Sequence, residues 1–328
     1  TSVADFVAAR YGKSESVAAV VALICVAGIA PYLALQLKAV AASLLAVLQG
    51  GSHPVGSERG AEAAFTLLAA IVLAAFAMLF GTRRVDATEH QDGLMLAVAL
   101  ESVVKLVAFL IVGAYVTFHL FDGFLDLTAQ AQASPATRAL LERTPDWRDW
   151  AAMTLLSGCA IMLLPRQFHV AVVENRDERD VRTAAWLFPL YLVAINIFVL
   201  PLALAGGLLL PGPDIDRDMM VLELPIHAGN GFVTIAALLG GISAATAMVI
   251  VSTVALSIMV SNDLVIPMAL RGRLSGGDQG PRDIGFVILG VRRAVIVLVL
   301  GLAYVYARNA NETRLASIGL VSFAAIAQ

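Results

Sequence analysis

Apolar residues fill seven long stretches of this chain, and shorter polar segments separate them. A helix needs about 20 mostly apolar residues to cross the hydrocarbon core of a bilayer, and within lipid only helices and closed barrels satisfy every backbone polar group. The pattern therefore predicts an all-α polytopic membrane protein with about seven full transmembrane helices and a truncated eighth that begins near residue 315. The seven stretches cover residues 16–48, 61–80, 94–121, 150–173, 184–210, 232–260 and 286–306.

Prolines and small residues add detail to three of these stretches. Pro31 is expected to kink the first helix, and Pro165 interrupts the second half of the fourth. The sixth stretch is rich in Gly, Ala, Ser and Thr, which lets transmembrane helices approach closely. Residues 122–149 are polar and are predicted to form a long extracytoplasmic loop.

Composition narrows the class of protein further. The chain is 59% hydrophobic and only 14% charged, whereas soluble domains carry about 25% charged residues, so we expect the lipid bilayer to surround it. The net charge of −3 gives no reason to expect a nucleic-acid partner, and no cofactor motif is present. Loops on the Thr1 side hold an excess of Lys and Arg, in which we count Arg166 and Arg292. This bias predicts a cytoplasmic Thr1 end.

A few ionisable residues lie inside the apolar stretches and are the first candidates for function. A charge at membrane depth costs about 2.5–3.5 kcal/mol on insertion scales, so each needs a partner, a cavity or a role. Glu101 and Lys105 are four residues apart and share one helix face, where they can pair. They form either an internal ion pair or part of the lining of a solute pathway. Lys38 either snorkels to the membrane surface or faces a cavity near Tyr32 and Gln36, which share a face.

The fourth and fifth stretches hold further polar candidates. The proline in Pro165-Arg166-Gln167-Phe168-His169 frees backbone groups, and broken helices of transporters use such groups to bind ions and substrates. Gln167 and His169 would then line the path. Alternatively the helix has already reached the cytoplasmic surface, with Arg166 and His169 among the headgroups. For Asn196 an interhelical hydrogen bond is expected over a ligand contact.

Four strings of residues resemble the sodium/solute symporter family. They are TSVADFVAARYG at 1–12, PYLALQLKAV at 31–40, DATEH at 86–90 and PRQFHVAVVEN at 165–175. Within that family the chain is most similar to the branch fused to sensor histidine kinases, the CbrA-type proteins. The resemblance implies a partial inverted-repeat bundle of the leucine-transporter (LeuT) type. It also implies that residues 1–328 form a single symporter-like domain in a bacterial inner (plasma) membrane, a fragment running from the third core helix to part of the tenth.

The same resemblance bears on the coupling ion. Sodium symporters of the family place adjacent hydroxyls on the eighth core helix, and the matching positions here are Ala247 and Met248, with Ser243 and Thr246 nearby. Methionine sulfur is a poor ligand for a hard cation. Glu89 stands where the family has an acid at the start of its fifth core helix. The coupling ion is therefore left open between proton and sodium.

Two functions remain in view. The leading hypothesis is alternating-access transport or binding of a small polar solute, such as the amino acid histidine. The alternative is a sensory input domain that controls a histidine kinase outside this chain, with a response regulator as a further partner. No enzymatic activity is expected within these residues, and no metal site is predicted. The candidates for the solute path are Tyr32, Gln36, Lys38, Glu101, Lys105, Gln167, His169 and Asn196, and those for ion coupling are Glu89, Ser243 and Thr246.

Overall fold

The regular structure of the chain is helical throughout the described residues. A computed structural model describes residues 2–51, 59–81, 92–142, 144, 146–175, 177–211, 217–268 and 281–309. The longer helices are α2 (Glu15–Gln49), α3 (Arg59–Gly81), α4 (Asp92–Tyr115), α7 (Trp147–Leu163), α9 (Glu178–Asn196), α12 (Gly231–Val260) and α13 (Pro281–Asn309). The shorter ones are α1 (Val3–Arg10), α5 (Phe124–Ala133), α6 (Pro135–Leu141), α8 (Pro165–Phe168), α10 (Val199–Leu209) and α11 (Met220–His227).

Within the described residues, six helical units are long and apolar enough to cross a membrane, and a seventh is bent. The six cover residues 15–49, 60–79, 93–120, 178–209, 231–268 and 285–309, and the bent pair of α7 and α8 turns by 45°. The predicted polytopic membrane fold is confirmed. The eighth apolar stretch lies outside the described residues.

Prolines determine where two of these units break. Leu164 is extended, with φ −64° and ψ 122°, because the residue before a proline is disfavoured in the helical region. Pro201 has no N–H to offer the carbonyl of Ile197 four residues earlier, so α9 ends at Asn196 and α10 starts afresh at Val199. By contrast, α2 remains one helix through Pro31.

The connection at 122–149 is more ordered than its polar sequence predicts. It contains α5 and α6, and α5 buries Leu127 and Ala131 against the second apolar core. The predicted long connection thus contains two helices, and its extracytoplasmic location stays a prediction. The short apolar face of α5 packs against α10. The sequence pattern of residues 122–149 alone does not reveal this contact.

The bundle is organised around α2 and α12. One apolar core joins α2 to α3, α12 and α13, and a second joins the end of α4 to α5, α10 and α11. Helix α9 buries none of its residues and contacts the bundle through α4 and α10. Close packing of α4 on α12 depends on Gly240, because a Cβ there would lie 2.6 Å from the Cβ of Ala108. The small-residue expectation for this helix is confirmed.

Candidate functional site

Polar side chains from five helices meet near the middle of the spans. Tyr32 is the central residue of α2. Lys105, Tyr191 and Met248 each lie within one helical turn of the centre of their spans. Arg166 joins them from the first turn of α8, directly after the break at Leu164. We call Tyr32, Glu101, Lys105, Arg166, Tyr191 and Met248 the mid-span cluster.

Arg166 lies at the heart of this cluster. Its side chain is 9% exposed, its Cζ lies 4.1 Å from the centre of the Tyr32 ring, and one terminal nitrogen donates to the sulfur of Met248 at 2.9 Å. Its Nε has no hydrogen-bond partner among the described residues. The break before Pro165 turns the chain by 45°, which brings Arg166 inward to α2 and α12.

Of the two alternatives that the sequence leaves open for Arg166, its burial against α2 and α12 favours the inward-turning broken helix over a headgroup position. Arg292 was also counted among the loop cations, yet it is 6% exposed within α13. Arg166 follows a helix break whose direction the sequence does not show. Arg292 lies near the start of its apolar stretch, and the sequence pattern does not show that α13 already begins at Pro281. One available signal for Arg166 was the proline directly before it, which predicts a break rather than an exit from the membrane.

Glu101 joins α4 to α12 at two points. Its Oε1 accepts the backbone N–H of Ala247 at 2.9 Å, and its backbone carbonyl accepts the hydroxyl of Ser243 at 3.2 Å. The carboxylate thus reaches the position where the symporter resemblance expects a ligand hydroxyl. Thr246 instead donates to the carbonyl of Ile242 in its own helix.

Lys105 lies one turn after Glu101, as predicted, and its ammonium group sits 5.7 Å from the centre of the Tyr191 ring. The Tyr191 hydroxyl donates to the carbonyl of Ser102 at 3.1 Å. The charge of Lys105 is attracted by Glu101 and repelled by Arg166. The expected pairing is thus electrostatic, while the closest described contacts of the two side chains are to neighbouring helices.

The remaining path candidates are spread more widely. Gln36, Lys38 and Gln167 are half-buried. His169 is 6% exposed and its Nε2 lies 3.3 Å from Oε1 of Glu174, so it is buried rather than placed among headgroups. Asn196 is exposed and donates to the carbonyl of Leu192 in its own helix.

A small cleft lies toward the end of α12. Its lining includes Ser2, the N-cap of α1, His169, which directly follows α8, and Met259 of α12. The Ser2 hydroxyl donates to Asp263 at 2.8 Å, which ties α1 to the π-helical turn Ser261–Val265. Glu89 lies outside the described residues. No group of three or more metal-ligating side chains occurs in the part of the chain that the structure describes.

Comparison with known proteins supports a symporter-like sequence. The chain is 25% identical over 231 residues to a Bacillus subtilis (strain 168) protein described as "Uncharacterized symporter YhjB". The matched region covers 69% of this chain and 43% of that relative, so the chain spans less than half of the relative's length. No family model matches, and no solved structure matches.

These comparisons leave two finer expectations as predictions, namely the LeuT-type repeat and the branch fused to histidine kinases. The similarity to a symporter and the six to seven apolar spans point to the same general class. The chain is a multi-pass, α-helical membrane protein with a symporter-like sequence.

Proposed function

We propose that this chain is the membrane part of a secondary carrier that binds a small polar solute in the mid-span cluster. The observation that carries the proposal is the depth of that cluster. Tyr32, Lys105, Tyr191 and Met248 lie near the centres of four different spans, beside the break before Arg166. Secondary transporters bind substrates near the bilayer midplane, next to discontinuous helices.

The arrangement also suggests how access would alternate. Helix α9 packs loosely on α4, whereas α2, α12 and α13 share a continuous apolar core. Motion of the broken α7–α8 unit and α9 against that core would open the cluster toward one side of the membrane and then the other. In this proposal Glu101 holds α4 to α12, and Arg166 contacts the solute.

The contact between Arg166 and Met248 also bears on which ion would couple to uptake. The guanidinium of Arg166 already donates a hydrogen bond to the sulfur of Met248. Its positive charge disfavours the binding of a sodium ion at the same position. We therefore expect uptake to follow a proton gradient, or the solute gradient alone. The cytoplasmic placement of the Thr1 end and the plasma-membrane location remain part of this proposal.

Uptake into proteoliposomes tests the proposal. The full-length protein would be reconstituted and offered labelled amino acids, monocarboxylates and neutral amides under separate sodium and proton gradients. We expect at least one solute to accumulate above protein-free liposomes. Absence of uptake for the whole panel, with folded protein, would refute transport. The fused-kinase alternative rests on sequence resemblance, and a solute-dependent change in autophosphorylation without uptake would favour it.

A matched pair of variants tests the cluster. Glu101→Gln keeps an oxygen to accept the N–H of Ala247 but removes the charge, so we expect uptake to fall about tenfold or more with little loss of folding. Glu142→Gln is the control, since that carboxylate is exposed in an ion pair with Arg138. Unchanged uptake in folded Glu101→Gln would leave Glu101 with a structural role only.

A further inference from the structure

The mid-span cluster carries more positive than negative charge. Arg166 and Lys105 are cationic, and Glu101 is the acid that lies with them. The neighbouring His169 and Glu174 lie against each other. Among Arg166, Lys105 and Glu101 the positive charges therefore outnumber the negative one, with Glu174 counted apart from them because it contacts His169.

The described contacts of Arg166 do not neutralise it. Thioether sulfur is a weak acceptor, and an aromatic face offers a cation only part of what a carboxylate does. Nε remains without a hydrogen-bond partner in a side chain that is 9% exposed. No described carboxylate forms an ion pair with this guanidinium. Buried charges are ordinarily paired, because an unpaired one loses its hydration without compensation.

The geometry favours one kind of ligand. A planar guanidinium presents five N–H donors in a fixed fork that matches a carboxylate, and one terminal nitrogen is already directed at Met248. The ring of Tyr32 covers a face of the fork at 4.1 Å, and the Nε–H, which has no described partner, is the donor left for a ligand. Lys105 supplies a second positive charge nearby as a point donor.

Building on the proposed carrier function, we propose that the solute is a small monocarboxylate of net charge −1, held by the guanidinium of Arg166 and attracted by Lys105. Its charge would make the cluster neutral overall. A zwitterionic amino acid brings no net charge and would leave the excess in place, and a cationic solute would increase it. The inference therefore selects simple carboxylates over amino acids, amides and amines.

Ligand-dependent thermal stability of the full-length protein in nanodiscs tests this inference. The probes are acetate, propionate, lactate and benzoate, with propionamide as the neutral match of propionate and alanine as the zwitterion. We expect at least one monocarboxylate to raise the unfolding temperature in a saturable manner, propionamide to have no effect, and alanine to bind more weakly. Equal shifts with propionate and propionamide, or no shift with any carboxylate, would overturn the inference.

Four variants locate the effect. Arg166→Gln should abolish carboxylate binding, and Arg166→Lys should weaken it about tenfold because a charged, forked pair is lost. Arg293→Gln is the control, since Arg293 is an exposed arginine in α13. If Arg166→Gln does not fold, Lys105→Met should still weaken binding about tenfold. Carboxylate binding that survives both charge-removing changes contradicts the proposal.

The outcome for the carrier function is separate. Uptake of a neutral or zwitterionic solute that falls in Glu101→Gln would preserve the carrier and refute the monocarboxylate assignment. Carboxylate binding without uptake would support the monocarboxylate assignment and refute the carrier function.

Discussion

The contact between α4 and α12 provides the sharpest test of the packing that builds the mid-span cluster. In Gly240→Ala the new Cβ would lie 2.6 Å from the Cβ of Ala108, whereas ordinary contact is 3.4–4 Å. The helices must therefore separate by about 1 Å, a gap that forfeits a quarter to a half of each close contact. Overpacking of this kind costs about 1–3 kcal/mol.

The neighbouring glycine supplies a matched control. Gly241 is in the same helix, and a Cβ there meets nothing within 4 Å. Both substitutions gain about 1 kcal/mol of helix propensity in a soluble reference, so that gain cancels between them. We expect Gly240→Ala to be less stable than Gly241→Ala by about 1–3 kcal/mol. Ala108→Gly should rescue Gly240→Ala because it removes the opposing methyl group.

Thiol accessibility during unfolding provides the assay. Cys25 is buried and Cys159 is half-buried, so a thiol-reactive dye in a Cys159→Ala background reports the opening of the first core. The free energy of unfolding would be compared across the variants by titration with denaturing detergent. Equal stability of the two glycine variants, or failure of Ala108→Gly to rescue, would refute the close approach of these helices.

Three further outcomes follow from single contacts. Ser243→Ala should lower the free energy of unfolding by about 0.6 kcal/mol because it loses its hydrogen bond to α4. Thr246→Ala should lower it less, because that hydroxyl bonds within its own helix. Titration with denaturing detergent compares the two variants, and equal losses would contradict the bridge between the helices. Ser2→Ala removes the cap of α1 and the hydrogen bond to Asp263. Loss of a cap destabilises a helix by about 1 kcal/mol, so amide hydrogen exchange in α1 should accelerate about fivefold or more. Unchanged exchange would contradict this role of Ser2. Arg138→Gln breaks an exposed ion pair with Glu142 and should change the free energy of unfolding by less than about 1 kcal/mol. A larger loss of stability in the detergent titration would show that this ion pair is buried.

The mid-span cluster shows what residue patterns can predict about a site. Glu101 and Lys105 are conspicuous because a charge stands out in an apolar stretch, and the structure places both in the cluster. Tyr191 did not stand out, because a tyrosine in an apolar helix looks like an ordinary packing residue. Asn196, which did stand out, lies exposed on α9, since helix periodicity alone does not tell which face meets the bundle.

Arg166 shows why the rest required coordinates. Its distance from the ends of an apolar stretch suggests a headgroup position, but the 45° bend at Leu164 and Pro165 returns the chain to the bundle. The sequence predicts the break, because proline removes a backbone donor. The direction of the bend depends on what α8 packs against, and those contacts come from α2 and α12, far away along the chain.

The sequence by itself determined the helical character and approximate position of the described spans, because apolar length and the need to satisfy backbone groups in lipid are local properties of the chain. Only the tertiary structure decided which polar groups share one depth and one face. Helix crossings such as Gly240 on Ala108 bring residues more than a hundred positions apart into contact. The resulting balance of charge around Arg166 is a property of that assembly, since each of its members lies on a different helix or a different turn.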